Sequence, residues 1–193
     1  GDGVANFLDE DADGDGVTDA QEFLDETEFL DPCDFEVASI DETLFASSWE
    51  TLDCDQDGIP NLEEYLNGDT DEDGIPDLVD SDADGDGVVD SLDIDPLDGC
   101  VFDSVLVDYD LTALSWRNSD CDGDGVINGI EWEDQTGINQ SCDFVISRVD
   151  TTLVSEVWLS GDCDGDGILN GEEGYADFDG DEIPAFLDMD SDN

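Results

Sequence analysis

The chain has 193 residues, with 59 Asp plus Glu against 2 Lys plus Arg and a formal net charge of −57. A surface this acidic repels phosphate backbones and anionic lipid, which excludes nucleic-acid and membrane-surface partners, and no apolar run approaches the roughly 20 residues a membrane helix needs. The charge alone would keep the chain unfolded, yet 38% of its residues are hydrophobic, 4 are Trp and 6 are Cys, so bound cations must offset the carboxylates before those groups can be buried.

One twelve-residue string recurs along the chain: D-x-D-x-D-G, an aliphatic residue, Asp or Asn at position 9 and an acid at position 12. This is the donor pattern of a calcium loop, with side chains at positions 1, 3, 5, 9 and 12, a backbone carbonyl at 7, and Gly at 6 for the sharp turn. At the start of the chain Asp2, Gly3, Val4, Asn6 and Asp9 fit positions 5, 6, 7, 9 and 12 of an interrupted loop. The first full loop takes Asp11, Asp13, Asp15, Val17, Asp19 and Glu22 as ligands. After it, Glu22 to Leu30 is expected to form one or two helical turns beginning at the last ligand, as is Glu63 to Leu66 further on.

Cys33 opens the first of three inserts that share C-x-F-x-x-x-x-[IV]-D-x-x-L-x-x-x-x-W-x-x-x-D-C. Their common residues are Phe35, Ile40, Asp41, Leu44 and Trp49; Phe102, Val107, Asp108, Leu111 and Trp116; and Phe144, Val149, Asp150, Leu153 and Trp158. Val37, Val105, Val107 and Val145 suggest a small β-like lobe whose Phe, Leu and Trp form a mini-core, the alternative being a carbohydrate or peptide platform, with the recurring Asp capping a turn or, as the less favoured reading, reaching a neighbouring ion. The Cys pairs 33/54, 100/121 and 142/163 all have a separation of 21, which predicts disulfides Cys33 to Cys54, Cys100 to Cys121 and Cys142 to Cys163, each worth roughly 3 kcal/mol in the chain-entropy picture. There is no C-x-x-C and no His for a zinc set, so an oxidising, extracellular setting is expected.

Three loops follow the first insert. They take Asp53, Asp55, Asp57, Ile59, Asn61 and Glu64; then Asp69, Asp71, Asp73, Ile75, Asp77 and Asp80; then Asp82, Asp84, Asp86, Val88, Asp90 and Asp93. Asp80 could close one loop and touch the ion of the next. After the second insert come Asp120, Asp122, Asp124, Val126, Asn128 and Glu131, and after the third Asp162, Asp164, Asp166, Ile168, Asn170 and Glu173. A seventh loop, Asp177, Asp179, Asp181, Ile183 and Asp188, has Glu182 for the Gly and Ala185 at position 9, so its ion is expected to be weaker or differently ligated. Asp190 and Asp192 fit positions 1 and 3 of an interrupted loop. No initiator Met or leader opens the sequence, and the expectation is a segment of a longer array whose targeting information lies elsewhere. The expected organisation is calcium loops at 1–32, a lobe at 33–54, three loops at 53–99, a lobe at 100–121, a loop at 120–141, a lobe at 142–163 and loops at 162–193.

Many oxygen donors on flexible loops favour calcium, about seven ions or more, over magnesium, and the absence of imidazole and thiolate disfavours transition metals. Loops starting at 53, 69 and 82 are only 16 and 13 residues apart, too close for a helix on each side of every loop, so a paired EF-hand sensor is excluded. Runs such as Asp69-Thr70-Asp71-Glu72-Asp73-Gly74-Ile75-Pro76-Asp77 and Asp82-Ala83-Asp84-Gly85-Asp86-Gly87-Val88 resemble the thrombospondin type 3 repeat, and more closely its relatives in large secreted surface proteins of Bacteroidetes-like bacteria. That resemblance covers about half the chain. It implies little regular secondary structure, ions in place of a hydrophobic core and a structural or adhesive role.

The expected fold is an elongated calcium-stapled repeat array with short helical turns and three small disulfide-closed lobes. The expected function is the stalk or repeating body of an extracellular adhesin or fibril, with calcium and neighbouring repeats as partners. A dockerin-like docking module and an acidic calcium buffer or mineral nucleator are the alternatives. No catalytic constellation is present, so no enzyme is expected. Asn139-Gln140-Ser141 is a glycosylation sequon, and Asp90-Ser91-Leu92, Asp103-Ser104-Val105 and Asp150-Thr151-Thr152 resemble bacterial O-glycan signals. Arg117 and Arg148, the only cations, are expected in local salt bridges.

Overall fold

The computed structural model describes residues 8–191. The expected ligands Asp2, Val4, Asn6 and Asp192 therefore lie outside the described residues. Six short α-helices and six single 3-10 turns make up the regular structure, with no strand among the described residues. The helices are α1 (Asp19–Asp25), α2 (Asn61–Asn67), α3 (Leu114–Asn118), α4 (Asn128–Asp134), α5 (Glu156–Leu159) and α6 (Asn170–Glu173). The chain divides into two units, Gly1–Leu111 and Thr112–Asn193.

Helices begin earlier than the last ligand. Position 9 is the first residue of α1, α2, α4 and α6, whereas the loops starting at Asp69, Asp82 and Asp177 give only the 3-10 turns Asp77–Val79, Asp90–Leu92 and Ala185–Leu187. The division follows position 12: Glu where a helix forms, Asp where a single turn forms. A helix carries position 12 through most of a turn, so the longer Glu side chain is needed to reach back. The expected helix through Leu30 stops at Asp25 instead, because Glu26 adopts a left-handed φ of 65°.

The β-like lobes are corrected to turn-and-helix straps. Val37 opens a 3-10 turn, Val145 precedes another, and α3 and α5 form the later parts of inserts two and three. A strand needs a partner edge, and the insert backbone spends its amides on the preceding calcium loop instead. Asp41 N–H donates to Gly16 O at 2.7 Å, Asp108 to Gly87 O at 2.8 Å and Asp150 to Gly125 O at 2.7 Å. Ala46 N–H reaches Gly14 O, and Ser155 N–H reaches Gly123 O, both at 2.9 Å. The recurring Asp is a turn cap: Asp41 and Asp150 each accept from the amide and hydroxyl of the Thr two residues on, which holds both carboxyls below the usual range.

Cys33–Cys54 and Cys142–Cys163 are disulfides with Cα atoms 5.3 and 5.8 Å apart, Cys100 and Cys121 are disulfide-bonded as well, and no cysteine is free. Trp49 and Trp158 are anchored next to the first Cys of their inserts: Phe35 meets Trp49 and Phe144 meets Trp158 edge-on at 6.0 Å, and the indoles donate to Pro32 O and Ser141 O. Phe45 stacks on Trp49 at 4.3 Å, and Tyr175 stacks on Trp158 at 5.4 Å. In inserts two and three the Leu does not join the mini-core expected of it, since Leu111 and Leu153 are exposed, whereas Leu44 is half-buried. Arg148 forms a two-pronged pair with Asp134 at the end of α4, while Arg117 Nε donates to Thr112 Oγ1 at 2.6 Å.

Straps crowd the loop glycines. A Cβ on Gly125 (φ +94) would sit 2.7 Å from Val154 Cγ2 and 2.9 Å from Asp150 O, whereas one on Gly58 (φ +109) would meet nothing within 4 Å. Gly58→Ala should therefore cost only the backbone term, about 1 to 2 kcal/mol. Gly125→Ala adds overpacking and should cost about 2 to 4 kcal/mol. Denaturant unfolding in saturating calcium measures the difference, and equal losses would show that the strap does not press on the loop.

Candidate metal centres

Seven loops share one backbone geometry. The amide at position 6 donates to the position 1 carboxylate at 2.8 to 3.2 Å in every loop, and the amide at position 7 donates to position 5 Oδ1 at 2.7 to 2.8 Å. Position 9 N–H closes each loop onto the carbonyl of the residue before position 1, from Asp19 to Glu10 through Ala185 to Ala176. Positions 4 and 6 both take positive φ, including Gln56 (68°) and Glu72 (61°). In the seventh loop Glu182 adopts φ 77° and donates to Asp177 Oδ2 at 3.1 Å. The missing Gly has changed the residue without changing the loop.

This geometry gathers carboxylates. Single oxygens of Asp11, Asp13 and Asp15 lie within 4.8 Å of one another, as do those of the equivalent Asp triads starting at 53, 69, 82 and 120. The position 12 side chains Glu22, Glu64 and Glu131 are fully buried, and neither oxygen of any of them has a hydrogen-bond partner. Both oxygens of Glu173 are likewise unpartnered, as are Asp15 Oδ2, Asp57 Oδ2, Asp86 Oδ2, Asp124 Oδ2 and Asp164 Oδ2. No described backbone amide takes the position 7 carbonyls of Val17, Ile59, Ile75, Val88, Val126, Ile168 or Ile183. Buried polar atoms normally find partners, so these all-oxygen clusters fit a hard cation such as calcium. Where position 12 is Asp, one oxygen is already engaged: Asp80 Oδ1 by Asp82 N–H, Asp188 Oδ1 by Asp190 N–H, and Asp93 Oδ1 by Ile94 N–H.

Without a cation the clusters can persist only by holding protons. Burial first, and neighbouring carboxylates second, push Glu64 and Glu131 up to about 9 and Glu22 to about 8. Asp84 is pushed up to about 9 by burial and then by Asp86. Asp82 is raised by burial and by Asp86, Asp80 and Asp71, so the second and third tandem loops of the first unit lie in one field. Asp9 adds to the upward push on Asp11.

Position 9 has a job besides the one its spacing suggests. Oδ1 of Asp19, Asn61, Asp77, Asp90, Asn128 and Asn170 accepts the position 2 amide of its own loop at 2.7 to 3.1 Å. It is Asn wherever position 2 is Cys, and the Asn Nδ2 then donates to that Cys Sγ at 3.2 to 3.3 Å. Asn128 and Asn170 also donate to Trp116 O and Trp158 O at 2.9 Å. These side chains brace disulfide, Trp helix and loop together. Sequence reasoning also missed the docking of each insert on the loop before it; paired Gly at positions 4 and 6 marks the docked loops 11, 82 and 120 but also the loop at Asp162, where a Cβ on Gly165 or Gly167 would meet nothing within 4 Å.

Three disulfides indicate an oxidising or extracellular environment, and no described helix is long and apolar enough to cross a membrane. No protein-family model, curated protein or solved structure matches the chain.

Proposed function

We propose that this chain is a calcium-dependent structural repeat segment of thrombospondin type 3 character, forming the stalk or repeating body of an extracellular bacterial adhesin or fibril. The observation that carries the reading is the set of buried, unpartnered oxygens at positions 5 and 12 of the loops at Asp11, Asp53, Asp82 and Asp120. Calcium supplies the charge that lets those oxygens pack, so binding and folding are one equilibrium. At the roughly 0.1 to 1 mM calcium that extracellular modules of this type require, the chain would fold only after export.

The straps support a mechanical role over a buffer. Insert 33–54 is bonded backward to the loop at Asp11 through Gly14 and Gly16, and forward to the loop at Asp53 through its disulfide. Insert 142–163 links the loops at Asp120 and Asp162 in the same way. Ion sites are thus joined in series by covalent and hydrogen-bonded ties, which a simple ion store has no need of. One divalent ion per loop leaves most of the charge of −57 in place, and an elongated chain keeps the loops apart.

Small-angle scattering tests this. A compact ball of 193 residues has a radius of gyration of about 16 Å; the calcium-loaded chain should exceed that clearly and keep a rod-like profile. A value near 16 Å in millimolar calcium, unchanged by chelator, would reject the array.

A further inference from the structure

The loop that starts at Asp53 has a buried carboxylate of another loop beside its own donors. Its buried unpartnered oxygens are Asp53 Oδ1, Asp57 Oδ2 and both oxygens of Glu64. Against them lies Asp90, position 9 of the loop that starts at Asp82. Asp90 is 3% exposed, and Asp57 is 8% exposed. Asp90 Oδ1 is fixed by Ala83 N–H at 3.0 Å, within its own loop, and its Oδ2 has no partner. Asp57 is its carboxylate neighbour, and the charge of Asp90 also reaches Glu64.

No other position 9 residue is placed this way. Asp77 Oδ2 accepts from Thr70 Oγ1 at 2.7 Å, and Asn61, Asn128 and Asn170 have no second oxygen to offer. Asp90 alone among the described position 9 residues presents a buried, unpartnered oxygen. Two buried carboxylates in contact repel unless a proton or a cation lies between them. A cation held by the loop at Asp53 already needs acidic oxygens from several directions, and Asp90 provides one.

We infer that Asp90 is a ligand of the cation held by the loop at Asp53, not of the one held by its own loop, so that occupancy of the two loops is coupled across the intervening loop at Asp69. The consequence is cooperative. Filling the loop at Asp53 fixes Asp90, Asp90 fixes Ala83, and Ala83 sits at position 2 of the loop at Asp82. The inference rests on the cation-binding reading above and extends it from separate sites to a linked pair.

Calorimetric titration of the full chain with calcium chloride, comparing it with Asp90→Asn, provides the test. The substitution keeps the Oδ1 that accepts from Ala83 and replaces only the buried, unpartnered Oδ2. Expected is a weakening of at least about 10-fold at one of the tighter sites, with loss of cooperativity between two sites. A calcium-grown crystal of the unmodified chain gives a second readout, independent of whether the variant folds: an ion about 2.3 to 2.6 Å from Asp90 Oδ2 and from Glu64. An ion coordinated by Glu64 with Asp90 outside that range, or an unchanged titration in Asp90→Asn, overturns the inference. An unmodified chain that binds no calcium at all overturns the repeat function itself.

Discussion

Chelating calcium at neutral pH should unfold this chain, and acidifying the chelated chain should partly refold it. In the metal-free fold the fully buried Glu22, Glu64 and Glu131 have no partners and sit among other carboxylates. Each unpaired buried charge costs several kcal/mol, and a few of them exceed the 5 to 15 kcal/mol that a typical domain has to lose. The same groups fix the sign of the pH dependence. Their folded values are raised to about 8, 9 and 9 from 4.5, so between pH 4.5 and about 9 the metal-free folded state holds more protons than the unfolded one. Its stability is then fully present below about pH 4.5 and falls as pH rises through that window. Calcium must displace those protons, so its affinity runs the other way and rises with pH.

Tryptophan emission reads both effects, because Trp49, Trp116 and Trp158 are at most 3% exposed. Chelation at pH 7.5 should shift the emission to the red with a near-complete loss of the folded signal, and dialysis of the chelated chain to pH 4 should reverse much of that shift. In saturating calcium the folded emission should persist at pH 7.5, with the half-saturation concentration rising on acidification. Emission that stays blue in chelator at pH 7.5 would show that cations do not hold the fold.

The features legible in the sequence are those encoded within one loop or by a repeated interval. Positions 1, 3 and 5 converge because their spacing and two positive-φ residues dictate it, and the interval of 21 identifies the disulfides. Strap conformation was not legible. Val37, Val105 and Val145 carry β propensity, but propensity on a short segment yields to whatever edge is available, and the edge here is a glycine-rich loop. The role of position 9 was hidden for another reason: spacing gives the register of a side chain, not its rotamer, and the position 2 amide lies within reach of Oδ1. Even so, the pairing of Asn with Cys at positions 9 and 2 is written in the sequence. It has a physical cause only when the amide is a brace.

Asn170→Asp separates brace from ligand with opposite expected outcomes. A ligand that gains a negative charge should bind calcium more tightly, since affinity follows the charge of the donor set. A brace should fail. Asn170 is 1% exposed, its Oδ1 accepts from Cys163 N–H at 2.9 Å, and its Nδ2 donates to Trp158 O at 2.9 Å and Cys163 Sγ at 3.3 Å. Aspartate keeps the first bond and turns the donor into a second oxygen facing the Trp158 carbonyl, with an unpaired buried charge added to an acidic field. The expected loss is about 3 kcal/mol in calcium-saturated unfolding, with no gain in affinity at the loop that starts at Asp162. Asn170→Ala should lose a similar amount, because Cys163 N–H and Trp158 O are then both left without the side chain. A tighter site at undiminished stability in Asn170→Asp would return position 9 to the ligand set. Because Asn128 makes the same bonds to Cys121 and Trp116, the substitution there should fail in the same way, which makes the brace a property of the strap-to-loop junction and not of one site.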